Sequence, residues 1–185
     1  IPKGSFEEKP IVPPVKVETS KVDGKWRLLV DGQELYVKGA ACNNFYAEAA
    51  DFGANVVRTY GVSDKSKAIL DAAQEKGLYV NFGLYIKRET DGFDYNNAAA
   101  VKAQFDEMKA TVERFKDHPA LLVWSIGNEA EASYTNLKLW DAINDIAKMI
   151  DDAVVTVYVD NKPVCHNEKD SLPVVQKRTV KRGRF

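Results

Sequence analysis

Apolar and polar residues follow one another along this chain in blocks that predict alternating strands and helices. The segment Leu121–Ile126 is almost entirely apolar, which favours a parallel strand that is covered on both faces. Leu78–Tyr85 and Asn55–Tyr60 predict two further strands. Helices are predicted over residues 44–52, 63–76, 97–116 and 134–150, and a last strand over 154–159. This order indicates right-handed βαβ units around a parallel sheet.

The predicted helix over residues 97–116 has one apolar face. Its apolar residues recur at steps of three and four: Val101, Phe105, Met108, Val112 and Phe115. A stripe of this kind is typical of a helix that packs on a core, and not of a cofactor site. Trp124 is expected in the core as well. The last helix is expected to turn four residues inward: Trp140, Ile143, Ala147 and Ile150.

The first forty residues predict a small antiparallel element ahead of this sheet. Residues 26–30 and 33–37 form two predicted strands that are joined by an Asp31-Gly32 turn, and the second strand is expected to continue to Ala41. Prolines are concentrated near the start of the chain, which predicts an extended arm. We therefore expect three regions: an arm at 1–24, a partial-barrel domain at 25–160 and an irregular basic tail at 161–185.

Bulk composition adds limits to this picture. A chain of 185 residues, 45% of them hydrophobic, is long enough for one domain with a core. Its 26 basic and 27 acidic residues give a net charge of -1, so overall charge favours neither nucleic acid nor an anionic membrane as a partner. No apolar stretch approaches the roughly 20 residues that span a bilayer. Cys42 and Cys165 lack a metal-binding spacing, and neither a metal nor a cofactor is expected.

Two polar residues follow the most apolar strand. Pro119 ends the preceding helix because its ring cannot continue a helical turn, so the strand begins near Ala120. Gly127 lets the chain turn, and Asn128 and Glu129 then stand at the carboxyl end of the strand. Parallel α/β folds bind their ligands at this end of the sheet. Asn128 and Glu129 therefore form the candidate site, since one can bind a ligand and the other can protonate it.

The residues around this pair resemble a known signature. His118-Pro119, the apolar strand and Trp124–Glu129 resemble the acid/base motif of glycoside hydrolase family 2, whose catalytic domain is a (β/α)8 barrel. Val37–Gly39 resembles the family's entry into the first barrel strand, and Gly53–Tyr60 resembles its second strand. The likeness extends over about residues 25–150.

The resemblance implies a role for each matched residue. Glu129 is then the general acid/base, Asn128 binds the 2-hydroxyl group of the sugar, and Arg58 binds the carboxylate of the nucleophile. Retaining hydrolysis agrees with these roles, because a carboxylic acid must protonate the glycosidic oxygen. Tyr60 and Tyr85 end their strands at the same rim and are expected to stack on sugars. The simpler alternatives are a solvated carboxylate at Glu129 and an ion pair within the barrel mouth at Arg58.

The same mechanism requires a second carboxylate, about 5 Å from the first, which the family supplies from the seventh barrel strand. Only 26 residues follow Val159, too few for three more βα units. We therefore expect an α/β fold that is a partial (β/α)8 TIM barrel, with four to five parallel βα units and an N-terminal β-hairpin. It would carry the acid/base half of a retaining O-glycosyl hydrolase site, with a carbohydrate as its substrate or ligand.

Two other functions are consistent with these residues. A non-catalytic carbohydrate-binding or scaffold half-barrel would keep the sugar-binding rim without turnover. An open doubly wound sheet with an unrelated ligand is disfavoured, because no Gly-rich phosphate loop follows any strand. The residues themselves do not indicate a compartment, whereas the resemblance favours a secreted or periplasmic location.

An incomplete barrel is also expected to self-associate. Four or five strands cannot close a barrel of eight, so we expect a homodimer of half-barrels or an exchange of the segment from Asn161 between subunits. Such a dimer could bring Glu89 of one subunit towards Glu129 of the other. Within one subunit, Arg58 is expected to lie near Glu129 because the family partner of this arginine is missing.

Overall fold

The computed structural model describes residues 12–130 and 134–153, together with the backbone of Tyr158–Val159 and Lys162–Pro163. Its elements are β1 Val17–Val22, β2 Lys25–Val30, β3 Gln33–Glu34, β4 Gly39–Ala41, α1 Tyr46–Asp51, β5 Val56–Arg58, α2 Ser66–Glu75, β6 Tyr79–Leu84, α3 Ala98–Phe115, β7 Leu121–Ile126, α4 Lys138–Ala153, β8 Tyr158–Val159 and β9 Lys162–Pro163. β8 and β9 pair antiparallel. The remainder of the predicted strand at 154–159 and of the predicted tail lies outside the described residues.

Strands β4, β5, β6 and β7 form one parallel sheet in that order. Helices α1, α2 and α3 each connect two neighbouring strands, and α4 follows β7. Consecutive βα units whose strands are neighbours in chain order are the arrangement found in one part of a (β/α)8 barrel. The predicted fold class, a partial barrel with an N-terminal antiparallel hairpin, is confirmed.

β1, β2 and β3 form a small antiparallel sheet ahead of the parallel one. Asp23-Gly24 and Asp31-Gly32 are its two-residue turns, with φ values of 49° and 76° in the first and 50° and 80° in the second. Positive φ at both central residues is the type I′ geometry, which matches the twist of paired strands. The predicted turn at Asp31-Gly32 is confirmed. The Asp23-Gly24 turn joins β2 to β1, Val17–Val22, a strand that was not predicted and that lies within the predicted N-terminal arm.

The prediction that the second hairpin strand runs on into β4 is wrong. β3 ends at Glu34 and β4 starts at Gly39. Between them, the Asn55 side chain donates from Nδ2 to the Tyr36 carbonyl and accepts at Oδ1 from the Lys38 amide, both at 2.8 Å. These bonds occupy backbone groups that a continuous strand would pair, and they direct the chain into the parallel sheet.

The helices begin and end near their predicted positions. Gly53 and Gly77 follow α1 and α2 with φ values of 82° and 69°, a left-handed conformation that ends a helix. The Asn97 side chain caps α3 by accepting a first-turn amide at 3.1 Å. α4 starts at Lys138, later than its predicted start at residue 134.

One face of the parallel sheet packs against the helices. Phe82 of β6 is fully buried there, with its ring 5.6 Å from that of Phe115 and 5.3 Å from that of Trp124. The core position predicted for Trp124 is confirmed, since its side chain is 2% exposed. The predicted stripe of α3 is also confirmed as core. Three of its members are buried and two are partly buried at the edge: Met108, Val112, Phe115, and then Val101 and Phe105.

The buried face of α4 differs in part from the prediction. Ala147 and Ile150 are buried as expected, but Trp140 and Ile143 are only partly buried. The buried face instead includes Leu139, Ala142, Ile146 and Met149. α4 packs mainly against α3, so the position of α3 decides how far α4 is rotated about its own axis. Trp140 packs edge to face on Tyr134, with 5.3 Å between the ring centres.

The opposite face of the parallel sheet is called the open face here, and it carries Val56, Tyr79 and Val123. These side chains share one face because residues alternate between faces along a strand. They belong to one apolar cluster with Val17 and Val30 of the β1–β3 sheet. The antiparallel sheet therefore covers the open face near the amino ends of the strands.

Candidate active site

Three polar side chains continue the open face towards the carboxyl ends of the strands. Arg58 of β5, Asn81 of β6 and Ser125 of β7 each lie two residues beyond one of the apolar residues that contact the β1–β3 sheet. Arg58 and Asn81 are direct neighbours in the parallel register. The site is thus built on paired strands, which fix the positions of its side chains.

Arg58 joins the second barrel strand to the residue before Glu129. Its Nη2 donates to Asn128 Oδ1 at 3.0 Å, across 70 positions of sequence. The guanidinium carbon lies 4.7 Å from the centre of the Tyr60 ring, a cation–π contact. Arg58 Nε is buried and has no hydrogen-bond acceptor among the described residues. Arg58 therefore points towards the rim, as the predicted alignment of β5 requires, and one of its buried donors is left without a partner there.

Glu129 follows at the exposed edge of the rim. Gly127 and Glu129 have φ values of 75° and 50°, and the Gly127 amide donates to the Leu84 carbonyl at 2.7 Å. A positive φ is uncommon outside glycine and persists where the surrounding structure maintains it. The proximity of Arg58 to Glu129 stays a prediction, because the contact observed joins Arg58 to the residue before Glu129. Arg58 bonds to Asn128, and no salt bridge is found between Arg58 and Glu129 in the part of the chain described.

The two rim tyrosines differ in their contacts. Tyr60 and Tyr85 are 45% and 44% exposed. The Tyr85 hydroxyl donates to Asp91 Oδ2 at 2.7 Å and accepts from Arg88 Nε at 3.1 Å. Hydrogen bonds from Tyr85 first, and then from Arg88, hold the pKa of the Asp91 carboxyl below its usual value. Both tyrosines keep exposed ring surface that can stack on a sugar.

Asn81 and Ser125 are polar residues beside Arg58 that the sequence pattern did not indicate as part of the candidate site. Ser125 Oγ donates to Asn81 Oδ1 at 2.5 Å, and both side chains are partly buried. Each residue lies within an apolar segment that predicts a core strand, so neither was recognised. The available signal was a lone polar residue inside an otherwise apolar strand.

Glu89 has partners within its own chain. Its Oε2 accepts from the Thr135 and Asn136 amides at 2.5 and 3.1 Å, and its Oε1 accepts from the Thr135 hydroxyl at 3.0 Å. The Thr135 amide first, and then the Asn136 amide, lower the pKa of Glu89. Glu89 thus ties the loop after β6 to the segment before α4. The hypothesis that Glu89 faces Glu129 across a dimer stays a prediction, and these bonds count against it because both carboxylate oxygens are engaged.

The described residues contain neither a cluster of metal ligands nor a membrane-spanning helix. Over residues 12–130 and 134–153, no group of three His, Cys, Asp or Glu side chains could hold a metal ion. None of the helices described has the length and apolar character needed to cross a membrane. Together the rim and the open face below it present a carboxylate, two carboxamides, a guanidinium group and three hydroxyl groups: Glu129, Asn128, Asn81, Arg58, Ser125, Tyr60 and Tyr85.

Sequence comparisons match this chain to glycosidases. The family model "Glycosyl hydrolases family 2, TIM barrel domain" matches residues 49–181, a range that includes most of the segment predicted to be an irregular tail. A β-galactosidase from Arthrobacter sp. (strain B7) is 30% identical over 109 residues, which are 54% of this chain and 10% of that protein. The chain therefore spans about a tenth of the length of this curated relative.

Solved structures with the same fold include two β-glucuronidases. The apo enzyme from Ruminococcus gnavus is 18% identical with a TM-score of 0.54, over 75% of this chain and 26% of that one. The enzyme from Faecalibacterium prausnitzii is 15% identical with a TM-score of 0.56, over 74% of this chain and 26% of that one. At these identities the likeness shows the fold, and this chain spans about a quarter of either structure.

Proposed function

The chain belongs to glycosyl hydrolase family 2 through its TIM barrel domain, and from this membership we propose that it carries the acid/base half of a retaining O-glycosidase site. The observation that supports the proposal is the hydrogen bond from Arg58 to Asn128, directly before Glu129, at the carboxyl ends of the strands. Barrel enzymes place their catalytic groups at this end.

In this proposal Glu129 protonates the glycosidic oxygen as the bond to the sugar breaks, and later removes a proton from the attacking water. The exposed position of Glu129 leaves space for a leaving group and for water. Its left-handed backbone, directly after Asn128, keeps the acid next to the amide that binds the sugar.

Asn128 is proposed to bind the 2-hydroxyl group. Because Asn128 Oδ1 accepts from Arg58, the Nδ2 group of the amide remains available as a donor. A hydrogen bond to the 2-hydroxyl strengthens as the transition state develops positive charge on the sugar. Arg58 orients this amide, and its unpartnered Nε is proposed to bind the carboxylate of the nucleophile.

The proposed substrate is a β-linked O-glycoside, because the relatives are a β-galactosidase and β-glucuronidases. Tyr60 and Tyr85 would contact the sugar through their exposed rings. Retention of configuration needs a second carboxylate about 5 Å from Glu129. The proposal assigns that carboxylate to a later strand of the (β/α)8 barrel, outside the four parallel strands β4 to β7.

Carbohydrate binding without turnover is the second candidate function. Within the described residues the parallel sheet has four strands, where a closed barrel has eight. The three acidic residues of the neighbouring loop, Glu89, Asp91 and Asp94, each accept hydrogen bonds from other residues of the chain. A rim whose described residues supply one catalytic carboxylate, that of Glu129, would still bind sugars.

The test is Glu129→Gln, with aryl β-glycosides as substrates. We expect hydrolysis of substrates with poor leaving groups to fall about 100-fold or more, while substrates with good leaving groups lose far less, because they need little protonation. Initial rates over a series of phenols of decreasing acidity measure this difference.

Glu48→Gln, at an exposed position in α1, is the matched control and should leave all rates unchanged. An equal loss on good and poor leaving groups would contradict the acid role. Binding of the same glycosides is followed by saturation-transfer NMR. Binding without turnover in the parent chain would identify the second candidate function.

A further inference from the structure

Asn81 and Ser125 occupy a place that apolar residues would fill in an ordinary core strand. Their neighbours Val80, Phe82 and Trp124 point to the opposite face and are buried against the helices. Asn81 and Ser125 point to the open face, where Asn81 is the register neighbour of Arg58. Asn81 and Ser125 thus form a polar patch on the open face, termed the polar floor, beside Arg58, which contacts Asn128.

The hydrogen bonds of this pair define what it presents to a ligand. The Ser125 hydroxyl donates to Asn81 Oδ1, which orients the amide with its Nδ2 group away from Ser125. Asn81 Nδ2 has no acceptor among the described residues, and it is not one of the buried atoms that lack a partner. The Ser125 oxygen keeps lone pairs, because its proton is used. The pair thus offers an accessible N–H donor beside an oxygen acceptor.

We propose that Asn81 and Ser125 bind one ring hydroxyl group of the sugar whose 2-hydroxyl contacts Asn128, and so select sugars that carry this hydroxyl. A hydroxyl group both donates and accepts, which complements the donor and the acceptor of the pair. The inference rests on the proposed function, since it places the same sugar on the same rim.

Because the polar floor carries no charge, it favours a neutral group of the sugar over a carboxylate. Both members of the pair are uncharged, and the nearest cation by register, Arg58, already bonds to Asn128 and stacks on Tyr60. A carboxylate on the sugar would meet the Ser125 oxygen, which cannot donate a second proton. A hydroxyl group would satisfy both partners.

The experiment titrates the full chain with methyl β-galactoside, methyl β-glucoside, their monodeoxy derivatives and methyl β-glucuronide, and affinity is followed by NMR chemical shifts. We expect Asn81→Ala and Ser125→Ala each to weaken binding of at least one neutral glycoside about 3- to 10-fold, the effect of one lost hydrogen bond. One monodeoxy derivative should bind the parent weakly and be insensitive to both substitutions, which identifies the hydroxyl group.

Asn144→Ala, at an exposed position of α4, is the matched control and should bind like the parent. Thermal unfolding of each variant shows whether it is folded. If Asn81→Ala does not fold, Ser125→Ala, the smaller change, tests the inference by itself. Unchanged affinity in both variants, with binding lost in Asn128→Ala, would overturn this inference and leave the proposed function standing. Loss confined to methyl β-glucuronide would also overturn it. Absence of binding to the parent chain would overturn the proposed function and the inference together.

Discussion

At the scale of single residues, close backbone packing between the end of β5 and β6 positions the rim in addition to its hydrogen bonds. Arg58 ends β5 and Tyr60 follows two residues later, and the backbone between them packs closely against Gly83 of β6. A Cβ atom at Gly83 would lie 2.4 Å from the Thr59 carbonyl oxygen and 2.8 Å from the Tyr60 backbone. Glycine at this position therefore allows the end of β5, with its two site residues, to approach β6.

Gly83→Ala is expected to lower the free energy of unfolding by about 1–3 kcal/mol, because the backbone of β5 must move to admit the methyl group. Gly61→Ala is the matched control. Its Cβ would meet only the Tyr85 Cβ, at 3.6 Å, and the change should stay within about 0.5 kcal/mol. Urea denaturation of both variants measures the difference, and equal stabilities would contradict this account of the rim.

At the scale of elements, the loop after β6 is joined to the connection after β7 by individual hydrogen bonds and not by a pair of strands. Glu89 accepts three hydrogen bonds from Thr135 and Asn136, in the segment before α4. At the other end of the same connection, Gly127 donates to Leu84, the last residue of β6. Glu129 belongs to a connection that is therefore anchored at both ends to β6 and its loop.

The Glu89 anchor predicts a pH dependence of stability. The pKa of Glu89 is lowered in the folded chain, so its contribution is fully present above the carboxyl's ordinary pKa and is lost as pH falls through the lowered value. We expect Glu89→Gln to have a lower free energy of unfolding than the parent at pH 7. The difference between the two should shrink as pH falls below about 4.5, the ordinary pKa of the carboxyl group. Urea denaturation at pH 7, 5 and 3 measures it.

Glu107→Gln is the control for loss of a surface charge. Glu107 is exposed and its carboxylate lies 3.4 Å from Lys87 Nζ, so this variant should unfold with nearly the same free energy as the parent at every pH. If the difference in free energy of unfolding between Glu89→Gln and the parent stays constant from pH 7 to pH 3, the destabilisation does not depend on ionisation of Glu89. That result would contradict the prediction.

At the scale of the whole molecule, the parallel sheet has two outer strands. Among the described residues β4 and β7 each pair with one neighbouring strand only. Edge strands present unpaired backbone groups that another chain can pair with. The polar floor formed by Asn81 and Ser125 lies on the open face of this sheet, between these two edges.

We predict that the chain associates in solution, as a homodimer of half-barrels or by exchange of its C-terminal segment. Multi-angle light scattering at micromolar concentration should give twice the mass of the 20.7 kDa chain. A monodisperse monomer would contradict the prediction. If a dimer forms, a separation of Glu89 and Glu129 well beyond about 10 Å across its interface would exclude a shared pair of carboxylates.

The sequence by itself determined the alternation of strands and helices from β4 to α4 and the strand end at which Asn128 and Glu129 lie. Apolar runs such as Leu121–Ile126 form strands because only burial on both faces satisfies them, and glycines such as Gly53 end helices because they adopt positive φ. These are local effects, encoded in neighbouring residues. Asn128 and Glu129 could be located for the same reason, since they directly follow a buried strand.

Only the tertiary structure decided which distant side chains meet. The Arg58–Asn128 bond spans 70 positions, the Ser125–Asn81 bond 44 and the Thr135–Glu89 bond 46. No local pattern records such pairs, because they depend on the register between strands and on where each loop crosses the rim. The buried face of α4 differs from its predicted face for the same reason, because contact with α3 sets that face and not the apolar periodicity of α4 alone.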